Sequence, residues 1–158
     1  METRKQNRLK NYDYSQNGYY FVTICTAKKK SLFSTIIGQP DGDADMKLTG
    51  IGKIAANQLF DLEKRYDVAI DKYVIMPNHI HLILKIDMTL SGNRPTLSDI
   101  IRAYKSLTTK ECRKFYKGDI WQSSFYDHVI RNEKDYLRIY EYIENNPLKW
   151  ADDEYFTL

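Results

Sequence analysis

Residues 68–86 read VAIDKYVIMPNHIHLILKI, the pattern of a β-hairpin at the centre of a sheet. Two runs dense in β-branched and aliphatic residues, 68–76 and 79–86, are interrupted by Pro77-Asn78, where an antiparallel hairpin would turn. Along the second run the strand period of two puts Ile80, Leu82, Leu84 and Ile86 on one face. His79, His81, Ile83 and Lys85 share the other. The aliphatic set is expected to meet helices, and the histidines to lie on the opposite, more open face.

Residues 19–26 (YYFVTICT) follow Gly18 and are rich in aromatic and β-branched side chains, the signature of a strand. A turn-rich loop is expected over 38–45, then brief pairing by 46–48 before a helix that begins near Thr49 or Gly50. In that helix Ile51, Ile54, Ala55, Leu59, Leu62 and Tyr66 recur at three- and four-residue steps, with Gln58 as one polar exception. Residues 87–95 read as a polar loop. Thr96-x-x-Asp99 resembles a capping box that opens a basic helix to about Tyr116. A strand is placed at 126–131, and a last helix at 133–146 is stopped by Pro147. The order β, α, β, β, α, β, α predicts an α+β, ferredoxin-like antiparallel sheet with two helices on one face, and the last, C-terminal helix is expected on the other.

The chain has 158 residues and a mass of 18.7 kDa, the usual size of one domain, and a single unit over 1–158 with a basic arm at 1–17 is expected. No run approaches the ~20 apolar residues of a membrane span, so a cytoplasmic location and no membrane partner are expected. Cys25 and Cys112 are too far apart in sequence for a C-x-x-C motif and read as reduced, partly buried thiols. The net charge of +3 hides two basic stretches: residues 1–30 and residues 102–117 each carry +5, which leaves −7 for the rest. Clustered cations suit a polyanion such as nucleic acid, although a solvated helix face and a soluble tail produce the same pattern.

Chemistry concentrates in two places. His79 and His81, two of the chain's three histidines, place both imidazoles on one strand face, able to converge on one ion. Such a pair is half a metal site, and by itself is more often structural. In the last helix Tyr136, Ile139, Tyr140 and Ile143 form an apolar stripe, with Tyr142 and Asn146 four residues apart on its shoulder. If that helix packs across the open face, Asn146 can give its carbonyl oxygen to an ion on the histidines, with Tyr142 one turn away. With thirteen tyrosines in the chain, packing is the competing reading for Tyr142.

The segments YVIMPNHIHLIL (73–84), WQSSFYDHVIRNEKDY (121–136) and YIENNPLKW (142–150), with the opening NYDYSQNGYYFVTICT (11–26), resemble the REP-associated tyrosine transposases, members of the HUH single-tyrosine, IS200-like transposases. The resemblance covers most of the chain. It implies an RRM-like sheet, a divalent metal such as Mg²⁺ or Mn²⁺, and cleavage and rejoining of single-stranded DNA next to hairpins through a 5′-phosphotyrosine. It further implies His79, His81 and Asn146 as metal ligands and Tyr142 as nucleophile. Better-known relatives carry Gln where this chain has the shorter Asn146, so the helix must come closer or the site is weaker. Relatives include swapped dimers with composite sites and monomers, which leaves a homodimer and a monomer both open.

A phenol with a pKa of about 10 is ionised in only about one part in a thousand at pH 7, so a metal must supply much of the rate. No nucleotide is required, because one phosphodiester is exchanged for another. Consistent with this, Gly50-Ile51-Gly52-Lys53 is not a phosphate loop: Lys47 stands at the first glycine position and Ile54 at the Ser/Thr position. DNA-contact candidates are Arg102, Lys105 and Lys110 on the basic helix and Arg4, Lys5, Arg8 and Lys10 in the arm. His128 is left between an acid/base, DNA-contact and structural role. Two other readings stand beside the transposase: a non-catalytic module that binds single-stranded or hairpin nucleic acid, and a metallophosphodiesterase in which water attacks.

Overall fold

The computed structural model describes residues 18–38, 44–86 and 95–150. Arg4, Lys5, Arg8 and Lys10 lie outside the described residues, as do 39–43 and 87–94 of the two expected loops. In chain order the elements are β1 (Gly18–Cys25), β2 (Ser34–Gly38), β3 (Ala44–Leu48), α1 (Gly50–Arg65), β4 (Val68–Ile75), β5 (His79–Ile86), α2 (Leu97–Cys112), β6 (Tyr126–Ile130) and α3 (Glu133–Asn145). Four strands build one antiparallel sheet in the order β4-β5-β1-β6, the expected ferredoxin-like arrangement. β2 and β3 pair with each other in a separate ribbon. Residues 46–48 pair as expected, whereas their partner strand at Ser34–Gly38 had no period-two signal because most of the ribbon is exposed.

The alternation along β5 sorts side chains into two layers. Ile80, Leu82, Leu84 and Ile86, with Tyr20, Val22 and Ile24 of β1, meet Ala55, Leu59 and Leu62 of α1 and Ile100, Ile101 and Tyr104 of α2. On the other face Val74, Met76, Ile83 and Ile130 meet Ile139 and Ile143 of α3. The last helix thus lies on the second face of the sheet, as expected, but it closes that face more completely than the strand pattern implied. α3 covers it, and His79 and His81 are 0% and 2% exposed. Burying the two isoleucines contributes about 1.5–3 kcal/mol each. Cys25 and Cys112 are both buried, and neither is in a disulfide. Among the described residues no helix is long and apolar enough to cross a membrane.

Local chemistry fixes where each helix starts. The expected capping box is present at α2: Thr96 Oγ1 accepts from Asp99 N at 3.2 Å, and Asp99 Oδ2 accepts from Thr96 N at 2.9 Å. At α3 the Asn132 side chain accepts from Asp135 N at 2.8 Å, and Glu133 and Asp135 complement the helix dipole. Tyr136 then donates to Asp71 Oδ2 at 2.9 Å, at the irregularity between Ile70 and Lys72 in the β4–β5 register, and Lys72 pairs with Glu144. These contacts tie α3 to β4. Directly after β1, Lys28 (φ 54°, ψ 27°) and Lys29 (φ 55°) are both left-handed. That conformation costs about 1–2 kcal/mol for each residue bearing a Cβ.

Thr49 caps α1 by accepting from Gly52 N at 3.0 Å, and the glycine passes so close to the preceding loop that a Cβ there would lie 2.0 Å from the Phe33 carbonyl oxygen. The helix start is thus a packing device and not a phosphate loop. Gly52→Ala should destabilise the fold by about 1–3 kcal/mol, lowering the Tm by roughly 3–10 °C in a thermal melt. An unchanged Tm would show that the α1 start is not closely packed.

Candidate functional site

Strand pairing sets the surroundings of the two histidines. Thr23 of β1 stands opposite His81 in the β1–β5 register, and its Oγ1 is 2.8 Å from His81 Nδ1. Asn78, in the turn before β5, places Oδ1 2.8 Å from His79 Nδ1. Its amide nitrogen donates to the Lys29 carbonyl at 3.4 Å, which identifies Oδ1 as the acceptor toward the ring. His79 therefore carries its proton on Nδ1 and keeps the Nε2 lone pair. The Thr23 hydroxyl can serve His81 in the same way. The two ring centroids are 4.5 Å apart, and both Nε2 atoms are buried.

Burial also sets the charge. Desolvation pushes the His79 imidazole down to about 4 from 6.5, with the nearby Asn146 side chain opposing the shift. Burial, and then the neighbouring His79, hold His81 well below its ordinary value. Both rings are neutral at pH 7, the form in which imidazole ligates metals.

α3 delivers the remaining groups. Ile139, Ile143 and Asn146 follow at i, i+4 and i+7, so the amide sits at the end of the buried stripe and not on its shoulder. Asn146 is 2% exposed, and its Oδ1 is buried with no hydrogen-bond partner among the described residues. Leaving that oxygen stranded costs about 1–3 kcal/mol. A carbonyl oxygen of this kind beside two neutral imidazoles fits a divalent cation. Among the described residues no three His, Cys, Asp or Glu side chains gather as a metal cluster. Tyr142, on the flank of the stripe, is 41% exposed, with its ring centroid 5.4 Å from that of His81.

Four neighbours of the site were not identified from sequence. Phe21 lies 5.2 Å from the His81 ring and stands edge-on to Tyr142, and Trp150 lies 6.1 Å from the His79 ring. Thr23 and Phe21 reach the site only through register with a strand some sixty residues away, which no local pattern reports. Asn78 was readable as a turn residue but not as a histidine partner.

The basic candidates separate from this cluster. α2 packs in the layer on the far side of the sheet from the histidines, so Arg102, Lys105 and Lys110 are not brought to them. The Lys105 ammonium donates to the carbonyls of Gln122 at 2.8 Å and Ser124 at 3.0 Å, holding the segment that leads into β6. With Arg102 and Ser98 it lines a cavity of about 230 Å³. Arg102 and Lys110 are exposed. His128 Nε2 is 2.7 Å from Asp135 Oδ2 and joins β6 to the first turn of α3.

A family model described as "Transposase IS200 like" matches residues 14–146. An "uncharacterized protein" of Haemophilus influenzae is 36% identical, over 98% of this chain and 93% of its own length. The REP-associated tyrosine transposase of Escherichia coli K12 is 29% identical, over 86% of this chain and 70% of its own. Among solved structures, a REP-associated tyrosine transposase bound to a REP hairpin superposes with a TM-score of 0.67 at 23% identity, covering 92% of this chain and 74% of that one.

The neutral histidines give the metal-free protein a defined pH response. The unfolded chain binds protons at its imidazoles near 6.5 while folded His79 does so only near 4, so stability falls as pH drops through that window and levels off below it. Denaturant titrations between pH 8 and 4 should show a loss on the order of 3 kcal/mol from this residue, absent in His79→Gln. Parallel pH profiles for the two proteins would contradict the assignment of a neutral buried imidazole.

Proposed function

We propose, for a chain that belongs to the IS200-like transposase family, that it cleaves and rejoins single-stranded DNA next to hairpins, with Tyr142 as nucleophile and a 5′-phosphotyrosine as intermediate. One observation carries the reading. A single helix holds a solvent-reachable phenol 5.4 Å from the His81 ring and, one turn later, a stranded amide oxygen beside His79. All four side chains belong to one chain, and the reading needs no second copy. The hairpin preference is supported by the fold relative that is bound to a REP hairpin.

His79 and His81 through Nε2, and Asn146 through Oδ1, would hold a divalent ion, Mg²⁺ or Mn²⁺. When bound, such an ion would polarise the scissile phosphate and offset the negative charge that builds on it. Thr23 and Asn78 hold the imidazoles in orientation, as outer-shell partners do for ligating histidines. Phe21 stands edge-on to Tyr142 on the exposed flank of α3, with ring centroids 6.2 Å apart. In the transfer the Tyr142 Oη–P bond forms as the P–O3′ bond breaks. The phenol proton leaves to solvent, and the departing oxygen takes one up as a 3′-hydroxyl. Because one phosphodiester replaces another, attack by a second 3′-hydroxyl reverses the step onto a new strand.

Incubation of labelled hairpin-flanked single strands with the protein and Mn²⁺ should give a covalent protein–DNA adduct. The adduct should be lost in Tyr142→Phe and on chelation, and reduced at least roughly 10²-fold in His81→Ala. Cleavage that persists in Tyr142→Phe would mean that water attacks, and binding without cleavage would mean a non-catalytic module. Either result overturns the reading.

A further inference from the structure

Lys28, Lys29 and Lys30 leave the end of β1 as three consecutive exposed cations, with no ion pair to any described residue. Were β1 to continue, the strand period would send Lys29 to the opposite side from its neighbours. The left-handed backbone at Lys28 and Lys29 breaks that alternation and leaves all three side chains on the surface. No glycine relieves the conformation. It is imposed by the surroundings: Ala27 N donates to the Ile120 carbonyl at 2.9 Å, and the buried Thr26 hydroxyl lies 2.8 Å from the Lys30 carbonyl and 3.0 Å from the Asn78 carbonyl. Such conformations persist only where the surroundings hold them, and they cluster at functional sites, which makes this turn a candidate segment. The Asn78 side chain supplies the location, since its amide nitrogen holds the Lys29 carbonyl and its Oδ1 holds His79 Nδ1.

We propose that the Lys28–Lys30 turn is a phosphate clamp that seats the backbone of single-stranded DNA beside the histidine pair, with Asn78 as the positioning residue that joins clamp to site. Its choice of ligand rests on the strand-transfer reading. The remainder of the chain outside the two basic stretches is net −7, so a strand that approaches Tyr142 needs local cations. Those of α2 lie in the opposite layer of the sheet.

Binding of a dye-labelled, hairpin-flanked single strand to Tyr142→Phe protein in EDTA tests the clamp without chemistry. Adding Lys28→Ala, Lys29→Ala and Lys30→Ala should flatten the slope of log affinity against log salt by about 2 and weaken binding about tenfold. Replacing all three with Arg should restore both. Lys28→Gly with Lys29→Gly keeps the turn and removes its strain, so it should raise the Tm while weakening binding. An unchanged salt slope in the alanine variant, or a lowered Tm in the glycine variant, overturns the proposal. Adduct formation by the wild type is read separately. An adduct with an unmoved salt slope sinks the clamp alone, and a flattened slope without any adduct sinks the strand-transfer reading alone.

Discussion

Ile139 and Ile143 lie against Val74, Ile83 and Ile130, and this contact fixes the height and rotation of α3 on the sheet. With 1.5 Å of rise per residue, a slip of one turn would move the helix 5.4 Å and carry both Tyr142 and Asn146 away from the histidines. Tyr136 on Asp71, Lys72 on Glu144 and the Asn132 cap oppose such a slip at the start, the end and the entry of the helix. The apolar contact thus does two jobs: it closes the second face of the sheet, and it delivers a phenol and an amide to an address defined by β5.

The polar atoms of the site work against stability. Two imidazoles held neutral by burial and a stranded amide oxygen occupy positions where aliphatic side chains would pack at no such cost. The sheet supports them through groups that are themselves fixed: Thr23 by strand register and Asn78 by its grip on the Lys29 carbonyl. Both imidazoles are thereby held in one orientation by the sheet itself, which the proposed reaction would need for electrostatic catalysis.

Much of the fold was legible because the signals were local. The alternation of β5, the Pro77-Asn78 turn, the Thr96–Asp99 box and the stripe of α3 each concern residues a few positions apart. The ribbon of β2 and β3 was half missed because its exposed residues carry no buried-face pattern. At the site, the histidines, Tyr142 and Asn146 stood out by residue type and spacing. Burial of the histidines, the packing of Phe21 and Trp150, and the separation of Lys105 from the site depend on which layers stack, and spacing along the chain does not encode that. The left-handed lysines were equally hidden, since sequence reading looks for glycine or asparagine at such angles and finds neither.

In the proposed site the Asn146 oxygen, stranded in the apolar layer, completes a cation site with His79 and His81. Calorimetric titration of Mn²⁺ into the wild type and Asn146→Leu isolates the contribution of that oxygen. The wild type should bind one ion per chain, and the variant should bind it at least roughly tenfold more weakly while its metal-free form melts at a higher temperature because the stranded oxygen is gone. Equal Mn²⁺ affinity in the two proteins would contradict that role for Asn146.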